Sequence, residues 1–223
     1  MKKQNYSELL DLKICGINDI DTINFLITNP VKYFGLIFYK KSPRYVSPDQ
    51  AKELIEISKN SKINAVGVFV DFDITKLQEY IDSLGLKYIQ LHGNEDNSFI
   101  NKLKNKIDVN VIKVIRIEDR KDLNIINDYP DADYLLFDYK SKKHDLPGGN
   151  AKTFDWNKLK NINISKKWFL SGGINYNNIK NALEILNPYG IDISSGVEDS
   201  PGVKNKEKIK KIIEILNNNN EHK

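Results

Sequence analysis

The chain reads as a single (β/α)8 barrel of the α/β class, a TIM barrel, on three observations. Eight short apolar runs alternate with longer amphipathic stretches. Residues able to move a proton or cradle an anion stand where several of those runs end, the rim at which such a barrel gathers its chemistry. The length of 223 residues, with 40% hydrophobic and 29% charged, suits one domain with a full core.

Taken in order, the β-type runs lie near 11–16 (Leu12, Ile14), 33–39 (Tyr33, Phe34, Leu36, Ile37, Phe38), 64–70 (Val66, Val68, Phe69, Val70) and 88–91 (Tyr88, Ile89, Leu91). Four more follow near 109–117 (Val111, Ile112, Val114, Ile115), 133–137 (Tyr134 to Phe137), 168–171 (Trp168, Phe169, Leu170) and 190–194 (Ile191, Ile193). Helical stretches fall between them. In 48–59, Ala51, Leu54, Ile55 and Ile57 make an apolar stripe, and in 74–84 Leu77, Tyr80, Ile81 and Leu84 do the same. Asp19, Ser47 followed by Pro48, and Asp73 stand where N-caps belong. With a helix in each crossover, successive strands are expected to be parallel, and eight units in a chain this long favour closure. An open doubly wound sheet is the alternative. Residues 1–10 read as an N-terminal extension, 11–216 as the barrel and 217–223 as a polar tail. The stretch 139–151, rich in Lys, Gly and Ser, reads as a mobile loop or lid after the sixth strand.

Composition excludes several function classes. The net charge of +4 comes from scattered lysines, with only Arg44, Arg116 and Arg120 as arginines, so no nucleic-acid stripe is expected. No apolar run approaches the roughly eighteen residues that span a bilayer. Cys15 is the single cysteine, and no basic, apolar leader pattern opens the chain; a reducing cytoplasm is the expectation. His92, His144 and His222 show no metal-ligand or Ser-His-Asp spacing, so neither metal nor cofactor is expected. The glycines match neither a dinucleotide fingerprint nor a P-loop.

The candidate chemistry sits at strand ends. Cys15, followed by Gly16, offers a thiol that serves as base or nucleophile once ionised; the plainer reading is a small buried hydrophobe. Asp138 closes Tyr134-Leu135-Leu136-Phe137, where partial desolvation suits a general acid, although strand-end aspartates also cap backbone amides. Ser171-Gly172-Gly173 and Ser194-Ser195-Gly196 follow the seventh and eighth strands, the loops in which barrels commonly hold a phosphate. Arg44, in a chain that otherwise favours lysine, offers a planar fork for a carboxylate; a surface salt bridge is the alternative. Asp192 either faces the lumen and holds a polar substrate group or anchors a neighbouring loop.

Several stretches, in this order, resemble the phosphoribosylanthranilate isomerase family of tryptophan biosynthesis. They are Lys13-Ile14-Cys15-Gly16, Phe34-Gly35-Leu36-Ile37-Phe38 with Ser42-Pro43-Arg44, Val66-Gly67-Val68-Phe69-Val70, Ile89-Gln90-Leu91-His92-Gly93-Asn94-Glu95, Leu136-Phe137-Asp138, Thr153-Phe154-Asp155-Trp156, Leu170-Ser171-Gly172-Gly173, and Asp192-Ile193-Ser194-Ser195-Gly196-Val197-Glu198 with Pro201-Gly202. The resemblance implies a cofactor-free Amadori rearrangement of a phosphorylated small molecule. Asp138 would protonate the ribose ring oxygen and Cys15 would take the C2 proton. Arg44 would hold the anthranilate carboxylate. Gly172, Gly173, Ser195 and Gly196 would line the phosphate pocket, with Gln90 and Asp192 as further substrate contacts. A monomer or homodimer is implied, with no nucleic-acid or membrane partner. The family's Gly-Gly-Thr-Gly in loop six is replaced by Gly148-Gly149-Asn150-Ala151, where alanine resists the positive φ open to glycine. A related sugar-phosphate isomerisation of histidine biosynthesis, run with two aspartates, is the second enzyme reading, against which Cys15 argues. A decayed barrel that only binds phosphorylated ligands is the third.

Overall fold

The computed structural model describes residues 10–140 and 153–220, the side chains of 219 and 220 excepted. Eight parallel strands close into a barrel in sequential order: β1 (Asp11–Cys15), β2 (Tyr33–Ile37), β3 (Asn64–Phe69), β4 (Tyr88–Leu91), β5 (Asn110–Ile117), β6 (Tyr134–Tyr139), β7 (Lys167–Leu170) and β8 (Gly190–Ile193). β8 pairs with β1, with Lys13 opposite Asp192, which rules out the open sheet. The expected runs mark all eight strands, displaced by a residue or two at most ends.

Between the strands run α1 (Ile20–Leu26), α2 (Pro48–Ser58), α3 (Ile74–Leu84) and α4 (Asn97–Lys104). The three expected caps form: Asp19 accepts from the Thr22 amide, Ser47 and Gln50 make a reciprocal capping box, and Asp73 accepts from Thr75 and Lys76. The next two crossovers carry 3₁₀ helices, Arg120–Asp128 and Trp156–Leu159. In the first, Asp122 turns back onto the amides of Glu118 and Asp119, and the Asp and Asn side chains along it compete with α-helical backbone bonding. α5 (Ile179–Ile185) precedes β8, and α6 (Lys206–Asn220) closes the chain, continuing past the expected end of the barrel at 216. Between β8 and α6 lies an element the sequence did not announce, a hairpin of β9 (Glu198–Ser200) and β10 (Val203–Lys204). The expected lid falls outside the described residues apart from Tyr139 and Lys140, as do residues 1–9 of the N-terminal extension and 221–223 of the tail.

Strand alternation sorts the side chains into two cores. Outward residues such as Ile14, Phe34, Leu91, Phe137 and Ile191 join helix residues such as Ile23, Leu54 and Leu77 in one continuous cluster. Inward residues Tyr33, Val66, Ile112, Val114, Leu136 and Phe169 fill the barrel itself. At its N-terminal end Tyr33, Tyr88, Tyr134, Phe169 and Tyr189 make a floor of edge-on and tilted rings, with Tyr33 centred 5.2 Å from Tyr88 and 5.8 Å from Phe169. The inward positions at the other end are polar, and that contrast directs attention there.

Candidate active site

At the C-terminal ends of the strands a cavity of about 540 Å³ is lined by Cys15, Arg44, Gln90, His92, Asp138, Ser171, Asp192 and Ser194, with Ile37, Val68 and Val70 as its apolar wall. Five of the residues singled out from the sequence, Cys15, Arg44, Gln90, Asp138 and Asp192, therefore face one space.

Cys15 ends β1 with 5% of its surface exposed. Opposite it in the ladder stands Gly35, where an added Cβ would lie 2.6 Å from the sulfur. The missing side chain on β2 is what gives the sulfur its place. Burial pushes the Cys15 thiol up from its ordinary range; the positive charge of Lys13 opposes this, Asp192 adds to it, and Lys204 opposes it again. Lys13, two residues earlier on the same face, is completely buried with its Nζ 2.7 Å from Asp192 Oδ1. Burial works against the Lys13 charge, but Asp192 and the Cys15 sulfur together outweigh it and hold the ammonium above the usual lysine range. Of the two readings of Asp192, the one that faces the lumen matches its position, yet one oxygen is already engaged by the protein.

Asp138 stands across the cavity, one residue before the end of β6. Its Oδ1 accepts from the Tyr139 amide at 2.8 Å, and its Oδ2 lies 3.4 Å from His92 Nε2, close but not aligned as a hydrogen bond. His92 is in turn 3.2 Å from Gln90 through Nδ1 and the amide nitrogen. Gln90 Oε1 and His92 Nε2 are buried at the cavity wall without a hydrogen-bond partner within the protein. Buried polar atoms left unmet at a cavity wall are the groups a ligand satisfies. His92 read from the sequence only as the end of a strand; its signal was the alternation that sends Gln90 and His92 inward together.

Arg44 required the largest revision. The fork expected to receive a substrate carboxylate already grips one of the protein's own: Nε and Nη2 donate to Glu198 Oε1 and Oε2, each at 2.7 Å. Lys204 Nζ adds a third bond to Glu198 at 2.6 Å. Burial disfavours the Glu198 charge, but the Arg44 hydrogen bonds and Lys204 hold its carboxyl below the ordinary range. The alternative of a surface salt bridge does not hold, since Arg44 is 3% exposed. Arg44 thus presents its cation at the cavity wall from a fixed carboxylate seat. The His92-Gly93-Asn94-Glu95 stretch has a structural side too: Glu95 pairs with buried Lys113 at 3.0 Å and accepts from the Asp71 amide at 2.8 Å, locking the loops after β3 and β4 together.

The residues expected to hold phosphate sit beside this cavity and are not among its lining, where Ser171 and Ser194 stand in their place. Gly172 and Gly173 adopt φ of +83° and +67°, open to glycine and strained for other residues. Ser195 and Gly196 open a short 3₁₀ turn, Ser195–Val197, pressed onto the neighbouring loop so that a Cβ on Gly196 would meet the Ile174 carbonyl oxygen at 1.9 Å. The two loops are thereby packed edge to edge. Among the described residues no group of three or more His, Cys, Asp or Glu is arranged to hold a metal ion, and no helix is long and apolar enough to cross a membrane.

Comparison with known proteins agrees with this geometry. The model of the N-(5'-phosphoribosyl)anthranilate isomerase family matches residues 12–215. The N-(5'-phosphoribosyl)anthranilate isomerase of Paramagnetospirillum magneticum is 38% identical over 206 residues, covering 92% of this chain and 95% of its own. Monomeric forms of the dimeric phosphoribosylanthranilate isomerase of Thermotoga maritima superpose with a TM-score of 0.81 at 30% identity, over 94% of this chain and 100% of theirs. A phosphoribosyl anthranilate isomerase in complex with reduced 1-(o-carboxyphenylamino)-1-deoxyribulose 5-phosphate superposes with a TM-score of 0.81 at 28% identity, with the same coverage of 94% and 100%.

Proposed function

The chain belongs to the N-(5'-phosphoribosyl)anthranilate isomerase family, and we propose that in its isomerisation of that phosphorylated substrate for tryptophan biosynthesis Cys15 is the base and Asp138 the acid. The observation that carries the assignment is that a thiol from β1 and a carboxyl from β6 line one cavity. Asp138 protonates the ribose ring oxygen while the anilino nitrogen lone pair forms the C1=N bond and the C1–O bond breaks. The Cys15 thiolate then takes the C2 proton, and that electron pair becomes the C1=C2 bond of an enolamine as the C1=N electrons return to nitrogen. Tautomerisation to the C2 ketone moves the enol proton to C1. Asp138 ends as carboxylate and Cys15 as thiol, so one proton passing through solvent resets both.

Arg44, seated on Glu198, attracts the anthranilate carboxylate at long range and supplies the positive wall against which it lies. Gln90 and Asp192 contact the sugar, and Gly172, Gly173, Ser195 and Gly196 offer backbone amides to the phosphate. The apolar wall of Ile37, Val68 and Val70 suits the aromatic ring. Work in the cytoplasm fits the single unpaired thiol.

Turnover is tested by the fluorescence lost as freshly generated phosphoribosylanthranilate is consumed. Cys15→Ala and Asp138→Asn are each expected to bind the reduced product analogue and to lower kcat by about 10²- to 10⁴-fold, the usual worth of a positioned proton-transfer group. A parent-like kcat in either variant removes that residue from the mechanism.

A further inference from the structure

A lysine and an aspartate buried together inside a barrel are a poor way to stabilise it. Taking both charges out of water offsets most of their attraction, and an apolar pair of similar volume often serves the fold as well or better. Lys13 and Asp192 are such a pair, 0% and 5% exposed, 2.7 Å apart, at matched positions of β1 and β8. Their placement explains more than their energy. Lys13 precedes Cys15 by two residues, which in a strand puts both side chains on the same face. An ammonium has three N–H donors; one is directed at Asp192, and the group stands on the inward face of β1 that Cys15 shares. Gly35 fixes the other side of the arrangement, because the sulfur occupies the space its absent side chain leaves.

We propose that Lys13 is a positioning residue of the isomerase: held by Asp192 on the face it shares with Cys15, its ammonium charge stabilises the thiolate that takes the sugar proton. This rests on Cys15 being the base. The charged groups around the thiol separate the contributions. Lys13 comes from the thiol's own strand, Asp192 from β8 and Lys204 from β10, while Arg44, His92 and Asp138 stand around the cavity. Lys204 is committed elsewhere, bonded to Glu198 at 2.6 Å and to the Ser194 carbonyl at 3.1 Å. Lys13 is thus the cation whose placement favours the thiolate, and Asp192 is the anion that both seats Lys13 and repels a negative sulfur. The two halves of one ion pair act on the thiol with opposite sign.

That opposition gives a test that a merely structural pair would fail. Because Cys15 is the single cysteine of the chain, the rate of alkylation by iodoacetamide, followed against pH, reports this sulfur alone. Lys13→Met is expected to move the thiol titration towards alkaline pH by about one unit or more, a loss of about tenfold in thiolate at neutral pH. Its kcat falls in parallel and recovers as the pH is raised, and Lys13→Arg restores part of the thiolate. Asp192→Asn is expected to move the titration towards acid pH. An unmoved titration in Lys13→Met, or a shift in the same direction in both variants, overturns the proposal. Should Lys13→Met fail to fold, Lys13→Gln takes its place with the same expected alkaline shift, and an unmoved titration in it overturns the proposal. The titrations need no substrate, so they stand apart from the base role itself, which is judged by kcat in Cys15→Ala.

Discussion

Replacing Glu198 with glutamine changes one atom's chemistry where two buried cations meet one carboxylate. The carboxylate side chain is 4% exposed and takes three charge-assisted bonds, two from Arg44 at 2.7 Å and one from Lys204 at 2.6 Å. Glutamine keeps the size but offers one acceptor oxygen and turns an NH2 donor towards a cation. Removing one side of a buried ion pair leaves the other uncompensated, at about 3–5 kcal/mol. For a domain of this length each kcal/mol moves the melting midpoint by roughly 2–4 °C, so Glu198→Gln is expected to melt about 6–20 °C lower at neutral pH. The pH dependence has a definite sign. Glu198 is held below its ordinary value near 4.5, so its contribution is present above that value and is lost as pH falls through the folded-state value. The gap between parent and variant therefore narrows on acidification. KM rises as well, since Arg44 loses its seat. Melting followed by circular dichroism across neutral to acid pH, with KM measured alongside, checks both; a midpoint within about 2 °C of the parent and an unchanged KM would refute the reasoning.

Two further outcomes follow from the thiol's surroundings. Gly35→Ala puts a methyl group 2.6 Å from the Cys15 sulfur and 3.0 Å from its Cα, so the sulfur must move by about 1 Å. Misplacement on that scale lowers kcat by about 10²-fold, and the overpacking costs about 1–3 kcal/mol in denaturant titration; a parent-like kcat counts against Cys15 acting from its observed position. Because burial raises the Cys15 thiol and the thiolate is the working form, kcat is expected to climb with pH from neutral into the alkaline range. A pH profile flat over that interval excludes a thiolate base.

What the sequence made legible was local. Strands announced themselves by alternation or by buried runs, and Asp19, Ser47 and Asp73 by the caps they form within a few residues of themselves. The cavity residues could be named because each sits where a run ends, and strand ends share a rim in a barrel. What remained hidden was partnership across the chain. Lys13 and Asp192 are 179 residues apart and Arg44 and Glu198 are 154, and neither periodicity nor composition carries such pairings. Lysines scattered through a polar chain read as solvated, so Lys13, Lys113 and Lys204, all buried, gave no warning. Arg44 was singled out for its fork, while nothing near it in the sequence pointed to Glu198, the carboxylate it holds within the protein. The two 3₁₀ crossovers were missed because short Asn- and Asp-bearing segments have too few turns to show a period.

The ring of Tyr33, Tyr88, Tyr134, Phe169 and Tyr189 makes the catalytic chamber a cul-de-sac. Among the described residues the way in is also the way out: each ketose backs out by the door the next aminosugar enters. Release and capture consequently compete for the same threshold, and alterations that speed departure also loosen the grip on arrival.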